Sequence, residues 1–92
     1  MAIVTLRYWA AAKEAARTAE ETVSAGTLAE ALAAARGKTD GGGEAEQDSR
    51  LRAVLARSSF LVDGTPVGSR APEAVVLSDA SVIEVLPPFA GG

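Results

Sequence analysis

Val4, Leu6 and Tyr8 alternate with Thr5, Arg7 and Trp9. This is the period-two pattern of a strand with one buried face, and it puts Trp9 on the face of Thr5 and Arg7, away from the core set. Ala10 to Ala16 is alanine-rich, with Lys13 and Glu14, and predicts a short helix. Glu20 to Ala25 reads as a second strand through Thr22 and Val23. Thr27-Leu28-Ala29-Glu30 matches a capping box, a hydroxyl at the N-cap with a glutamate three residues on. Leu28, Ala31, Leu32 and Ala35 then keep helical spacing, and Gly37 stands where a C-cap is expected. Residues 38–49 hold Gly41-Gly42-Gly43 among Asp40, Glu44, Glu46 and Asp48, which predicts a flexible acidic loop. Those acids would repel phosphate, so the glycines are not read as a phosphate cradle.

Leu51, Val54 and Leu55 stand at i, i+3 and i+4, predicting a helix over Arg50 to Arg57. Phe60-Leu61-Val62 is a strand, and Asp63-Gly64 is a hairpin turn. In the returning Thr65-Pro66-Val67, the proline implies a sheet edge or a bulge. Val75-Val76-Leu77 is a short apolar run, and Ser78-Asp79-Ala80-Ser81 a turn. Val82 to Leu86 is the last strand, with Ile83 and Val85 on one face and Val82, Glu84 and Leu86 on the other. Strands flank helices without βαβ alternation. The fold class is therefore α+β, a mixed sheet of four to five strands packed by helices on one face.

Composition narrows the chemistry. The 92 residues make one domain, and no histidine or cysteine is present. That removes the commonest general base, thiolate nucleophiles and the usual metal ligands, and excludes Ser-His-Asp and Cys-His catalysis. No metal site and no bound cofactor are expected. Net charge is −3, which argues against nucleic acid and anionic membrane as partners. No apolar run is long enough to span a bilayer, and the first residues carry no basic leader segment, so a cytoplasmic location is the expectation.

The remaining chemistry sits at the end, Pro87-Pro88-Phe89-Ala90-Gly91-Gly92. The two prolines favour an extended chain. Six residues at about 3.3 Å each reach roughly 20 Å. Without side chains, Gly91 and Gly92 could pass a channel too narrow for any other residue. Residues 1–86 are thus read as the domain and residues 87–92 as an extended C-terminal tail, whose reacting group is the Gly92 carboxylate with Gly91 giving clearance. Trp9 and Leu86 place large apolar groups on faces that also carry Arg7 and Glu84, a pattern that marks interfaces.

Four segments carry a family resemblance: Val4-Thr5-Leu6-Arg7-Tyr8-Trp9-Ala10, Thr27-Leu28-Ala29-Glu30-Ala31-Leu32, Phe60-Leu61-Val62-Asp63-Gly64, and Leu77 through Gly92. Together they resemble the MoaD/ThiS-like β-grasp sulfur carriers, with the closest likeness to the small subunit of molybdopterin synthase. Three departures stand out: Ala80 where the family usually has Gly, Asp63 for the more usual Asn, and the loop at 38–49.

The resemblance implies a ubiquitin-like β-grasp fold. It also implies that a ubiquitin-activating-like adenylyltransferase uses ATP to adenylate Gly92, and that a sulfur donor protein then displaces AMP to leave a thiocarboxylate. The synthase large subunit would hold the active-site residues and spend that sulfur on molybdopterin, so no catalysis by this chain alone is expected. Trp9, Pro66 and Leu86 match family positions that pack on the large subunit. Pro87, Pro88 and Phe89 are assigned to the same partner contact. Alternatives are sulfur delivery to thiamin thiazole or cysteine synthesis, or a ubiquitin-like modifier whose Gly92 joins lysines.

Overall fold

The alternation at the start of the chain becomes β1 (Ala2–Tyr8), with Ala2, Val4, Leu6 and Tyr8 buried. The computed structural model describes residues 2–38 and 44–88, with the side chains of the third helix described from Asp48 onward. In chain order follow α1 (Ala10–Ala16), β2 (Glu20–Ala25), α2 (Leu28–Ala34), α3 (Glu44–Arg57), β3 (Ser59–Val62), β4 (Thr65–Pro66) and β5 (Val82–Leu86). A single 3-10 turn spans Pro72–Ala74.

The five strands form one mixed sheet in the order β2-β1-β5-β3-β4. β1 runs antiparallel to β2 and parallel to β5, and β5 runs antiparallel to β3. Helices cover one face, where Val4, Leu6, Tyr8, Ile83 and Val85 meet Ala12, Ala16, Leu28, Ala31, Leu51 and Leu55 in one core. This is the ubiquitin-like β-grasp, and β4 carries Pro66 at the sheet edge, as its missing N–H requires.

α2 opens on the expected capping box: Thr27 Oγ1 accepts from the Glu30 amide, and the Glu30 carboxylate accepts from the Thr27 amide. Its other end departs from expectation. The helix stops at Ala34, and Gly37 lies beyond the cap. Gly37 has φ +69°, and a Cβ there would lie 2.4 Å from the Ala16 carbonyl oxygen. Its glycine is thus required by close approach to α1 rather than by capping. The carbonyls at the end of α2 are covered from α3 instead, where the Arg52 guanidinium donates to Leu32, Ala33 and Ala35. α3 itself begins at Glu44, six residues before the expected Arg50. The helical segment therefore takes in residues 44–49 of the expected loop, while 39–43 lie outside the described residues. Glutamates in a first turn favour a helix electrostatically, a signal the nearby glycines obscured.

A half-buried polar knot joins these pieces. The Tyr8 hydroxyl donates to Glu21 Oε1, which also accepts the Arg36 and Gly37 amides at 2.8 and 3.0 Å. One carboxylate on β2 thereby ties β1 to the segment leaving α2.

The β3–β4 turn is built by Asp63 and Gly64, both at positive φ (50° and 83°), as a type I′ hairpin needs. Asp63 also explains its departure from asparagine. Oδ1 accepts the Val82 amide at 2.9 Å and Oδ2 accepts the Ser81 hydroxyl at 3.0 Å. An amide side chain has a single acceptor oxygen, whereas the carboxylate serves both donors.

Two predictions follow from the backbone and the knot. Ala80 stands at φ +69° without being glycine. Ala80→Gly should raise unfolding stability by about 0.5 kcal/mol, the left-handed penalty less the entropy of glycine, as measured by denaturant titration. Tyr8, the chain's one tyrosine, has its hydroxyl pushed well above the ordinary value of 10.0, first by burial and then by Glu21. A raised folded value means the stabilisation is complete below about pH 10 and is lost as pH rises further. Tyrosinate absorbance should therefore appear with alkaline unfolding rather than before it, and Tyr8→Phe should flatten stability across that range.

Candidate functional site

The face of the sheet away from the helices is not covered by any described element. The register assigns its residues: Ile3, Thr5 and Arg7 from β1, Val82, Glu84 and Leu86 from β5, Ser59 and Leu61 from β3, and Pro66 from β4. Most sheets with one open face fill it with polar groups. This one mixes Thr5, Arg7, Glu84 and Ser59 with apolar groups along its whole length, from Ile3 and Val82 through Leu61 and Pro66 to Leu86.

Trp9 continues β1 in an extended conformation (φ −122°, ψ 152°) before its carbonyl accepts the first amides of α1. Tyr8 pairs with Val85, so Trp9 follows beside Leu86. Leu86 pairs on its other side with Ser59, and Leu61 with Pro66. Trp9 is 42% exposed, Pro66 is exposed, and Leu86 and Leu61 are half-buried. The expected interface residues Trp9, Leu86 and Pro66 are thus brought to the same face of the sheet. Arg7 lies over the Trp9 ring, 5.4 Å from its centroid, and its Nε faces Glu20 at 3.9 Å. Both partners of that pair are solvated, so it contributes little stability.

β5 leads out of the sheet at this end. Pro87 is buried and Pro88 exposed. The fold itself thus claims much of the Pro87 surface, and Pro88 offers more for contact. Phe89, Ala90, Gly91 and Gly92 lie outside the described residues.

Two members of the open face were not singled out in the sequence. The run Phe60-Leu61-Val62 reads as a strand with no face assigned; pairing with Pro66 and Glu84 shows that Leu61 faces outward while Phe60 and Val62 pack on the core. Ile3 is 54% exposed near the other end of β1. Its parity with Thr5 and Arg7 was the available signal.

The ThiS family model matches residues 6–92. The chain belongs to the ThiS family. The match takes in both sheet-forming ends of the chain and the Gly91-Gly92 terminus. Solved structures agree on the fold. Small archaeal modifier protein 1 from Methanosarcina acetivorans superposes with a TM-score of 0.74 at 22% identity, covering 100% of this chain and 98% of that one. A complex of subunits 1 and 2 of molybdopterin-converting factor from Helicobacter pylori contributes a chain with a TM-score of 0.64 at 20% identity, covering 98% of this chain and 99% of that one. A putative molybdopterin converting factor subunit 1 from Pyrococcus furiosus gives 0.63 at 16% identity, covering 97% and 100%. No curated protein sequence matched the chain. The ThiS-family assignment makes this protein a small carrier that works with enzyme partners.

Trp9 is the chain's one tryptophan, so its fluorescence reports directly on the open face. Iodide should quench it readily in the free protein. Trp9→Ala should cost less stability than Leu6→Ala, for which about 2–5 kcal/mol is expected from a buried leucine. Equal costs in denaturant unfolding would instead place Trp9 in the cooperative core.

Proposed function

We propose that this ThiS-family protein is a sulfur carrier that serves as the small subunit of molybdopterin synthase. The observation that carries the reading is the family match running through Gly92, on a chain whose last strand leaves the sheet beside the Trp9–Leu86 end of the open face. A carboxylate is a poor electrophile, because its charge repels nucleophiles and its oxygens leave badly. An adenylyltransferase solves this by transferring AMP from ATP to the Gly92 carboxylate, releasing pyrophosphate. The outer sulfur of a donor protein's persulfide then attacks the acyl carbon and AMP departs. A second thiol on the donor cleaves the S–S bond of the resulting acyl disulfide, leaving a thiocarboxylate on Gly92 and a disulfide on the donor. This chain's own contributions are the carboxylate, the slim Gly91-Gly92 tip and the face that a partner grips. It has no histidine or cysteine, so proton transfer and sulfur relay fall to the partners.

The complex of two converting-factor subunits among the structural neighbours supports the large subunit as a partner. On this reading the protein acts in the cytoplasm, where adenylation by ATP takes place. A second reading is favoured by the small archaeal modifier neighbour: Gly92 conjugated to lysines as a ubiquitin-like modifier. Both uses begin with the same adenylation, and they part at the nucleophile, sulfur in one and an amine in the other.

Intact-mass measurement separates them. Incubation with the cognate adenylyltransferase, ATP and a sulfur source should add the mass of one oxygen-to-sulfur exchange, localised to Gly92. Deleting Gly92 should abolish the gain and leave the melting temperature unchanged. No exchange with an activating enzyme that demonstrably forms the adenylate would sink the carrier reading, and lysine-linked conjugates would support the modifier.

A further inference from the structure

Glu84 occupies the middle of the open face. Its neighbours in register are Arg7 on β1 and Leu61 on β3. Arg7 is the obvious counter-charge, yet its guanidinium is engaged elsewhere, stacked over Trp9 and facing Glu20. Among the described residues, Glu84 makes no hydrogen bond and no ion pair. The side chain is half-buried rather than free in solvent. A carboxylate so placed pays part of its desolvation without a partner, which is a cost unless something arrives to pair it. On the tail side of Glu84 the same face holds Trp9 and Leu86, and level with it across β3 and β4 stand Leu61 and Pro66. A charge with apolar neighbours on a docking face is where a paired contact gains most, because the neighbours exclude water once a partner covers them.

We propose that Glu84 is the specificity contact of the open face, pairing with a basic side chain that the synthase large subunit presents among apolar groups. An arginine suits the position better than a lysine. Its guanidinium is more weakly hydrated and can bind a carboxylate through two parallel N–H donors. The apolar patch then supplies adhesion, and the acid at its margin selects which apolar surface is accepted, since a partner with an acid or no charge there leaves Glu84 buried and unpaired. The inference rests on the reading of this protein as the synthase small subunit.

Calorimetric titration with the molybdopterin synthase large subunit from the same cell tests it, at low and high salt. Glu84→Gln should weaken binding by about 30-fold or more, the loss typical of removing one partner of a desolvated pair. Glu84→Asp should retain most of the affinity, and Glu84→Lys should bind far more weakly than Glu84→Gln. Raising salt should weaken the wild type more than Glu84→Gln. All three variants should melt with the wild type. Unchanged affinity in Glu84→Gln, with Leu86→Ala still binding poorly, would overturn the contact and leave the docking face standing. A lowered melting temperature in Glu84→Gln with unchanged affinity would also overturn it, making Glu84 an internal partner of Arg7. No binding by the wild type would overturn both the contact and the synthase reading.

Discussion

The pairing of β1 with β5 is the constraint on which the rest of the molecule depends. It joins the two ends of the chain, side by side and parallel. Parallel strands point their C-terminal ends the same way, so the end of β1 and the end of β5 must emerge together. Trp9 and Leu86, 77 positions apart in sequence, become neighbours for this reason alone. β3 then closes on the other side of β5, antiparallel, bringing Ser59 opposite Leu86. The strand that feeds the tail is thus hydrogen-bonded on both sides at the centre of the sheet. A tail rooted there is carried by a rigid base, which matters if a partner is to draw it into a narrow site.

The helical layer serves that sheet through a small number of polar groups. Glu21 accepts the Tyr8 hydroxyl and two amides from the segment beyond α2, and Arg52 closes the end of α2 from α3. Buried polar groups are costly unless satisfied, and among the described residues none of the buried side-chain polar atoms lacks a partner. The helical side of the core is rich in alanine, at 12, 15, 16, 31 and 35, beside Leu28, Leu51 and Leu55. Alanine packs helices closely but buries little area per residue, so specific polar ties at Glu21 and Arg52 hold helices whose apolar faces are shallow.

How much of this could be read from the chain depended on how local each signal was. β1, α1, β2 and β5 follow from alternation and propensity, and the capping box placed the start of α2 because both of its bonds lie within four residues. The Asp63-Gly64 turn was equally local. What escaped was set by tertiary contact. Gly37 looked like a helix cap until its approach to Ala16 became visible, and an unbroken apolar run left the face of Leu61 open until register with Pro66 and Glu84 turned it outward. The start of α3 was masked by the neighbouring glycines. At the site, strand parity put Trp9 on the face of Arg7 and Leu86 on the face of Glu84, and the β1–β5 register makes these the same face. Parity could not reveal that Glu84 lacks a counter-charge, because that turns on where Arg7 points.

The open face also divides the demands of folding from those of function. The buried parity set of β1 and β5 makes the core, and the opposite set is free of that duty. Polar residues there would cost folding nothing and would protect solubility. Leucine, valine, tryptophan and proline stand there instead, with one unpaired acid among them. Folding does not call for that choice, whereas a surface meant to be covered does.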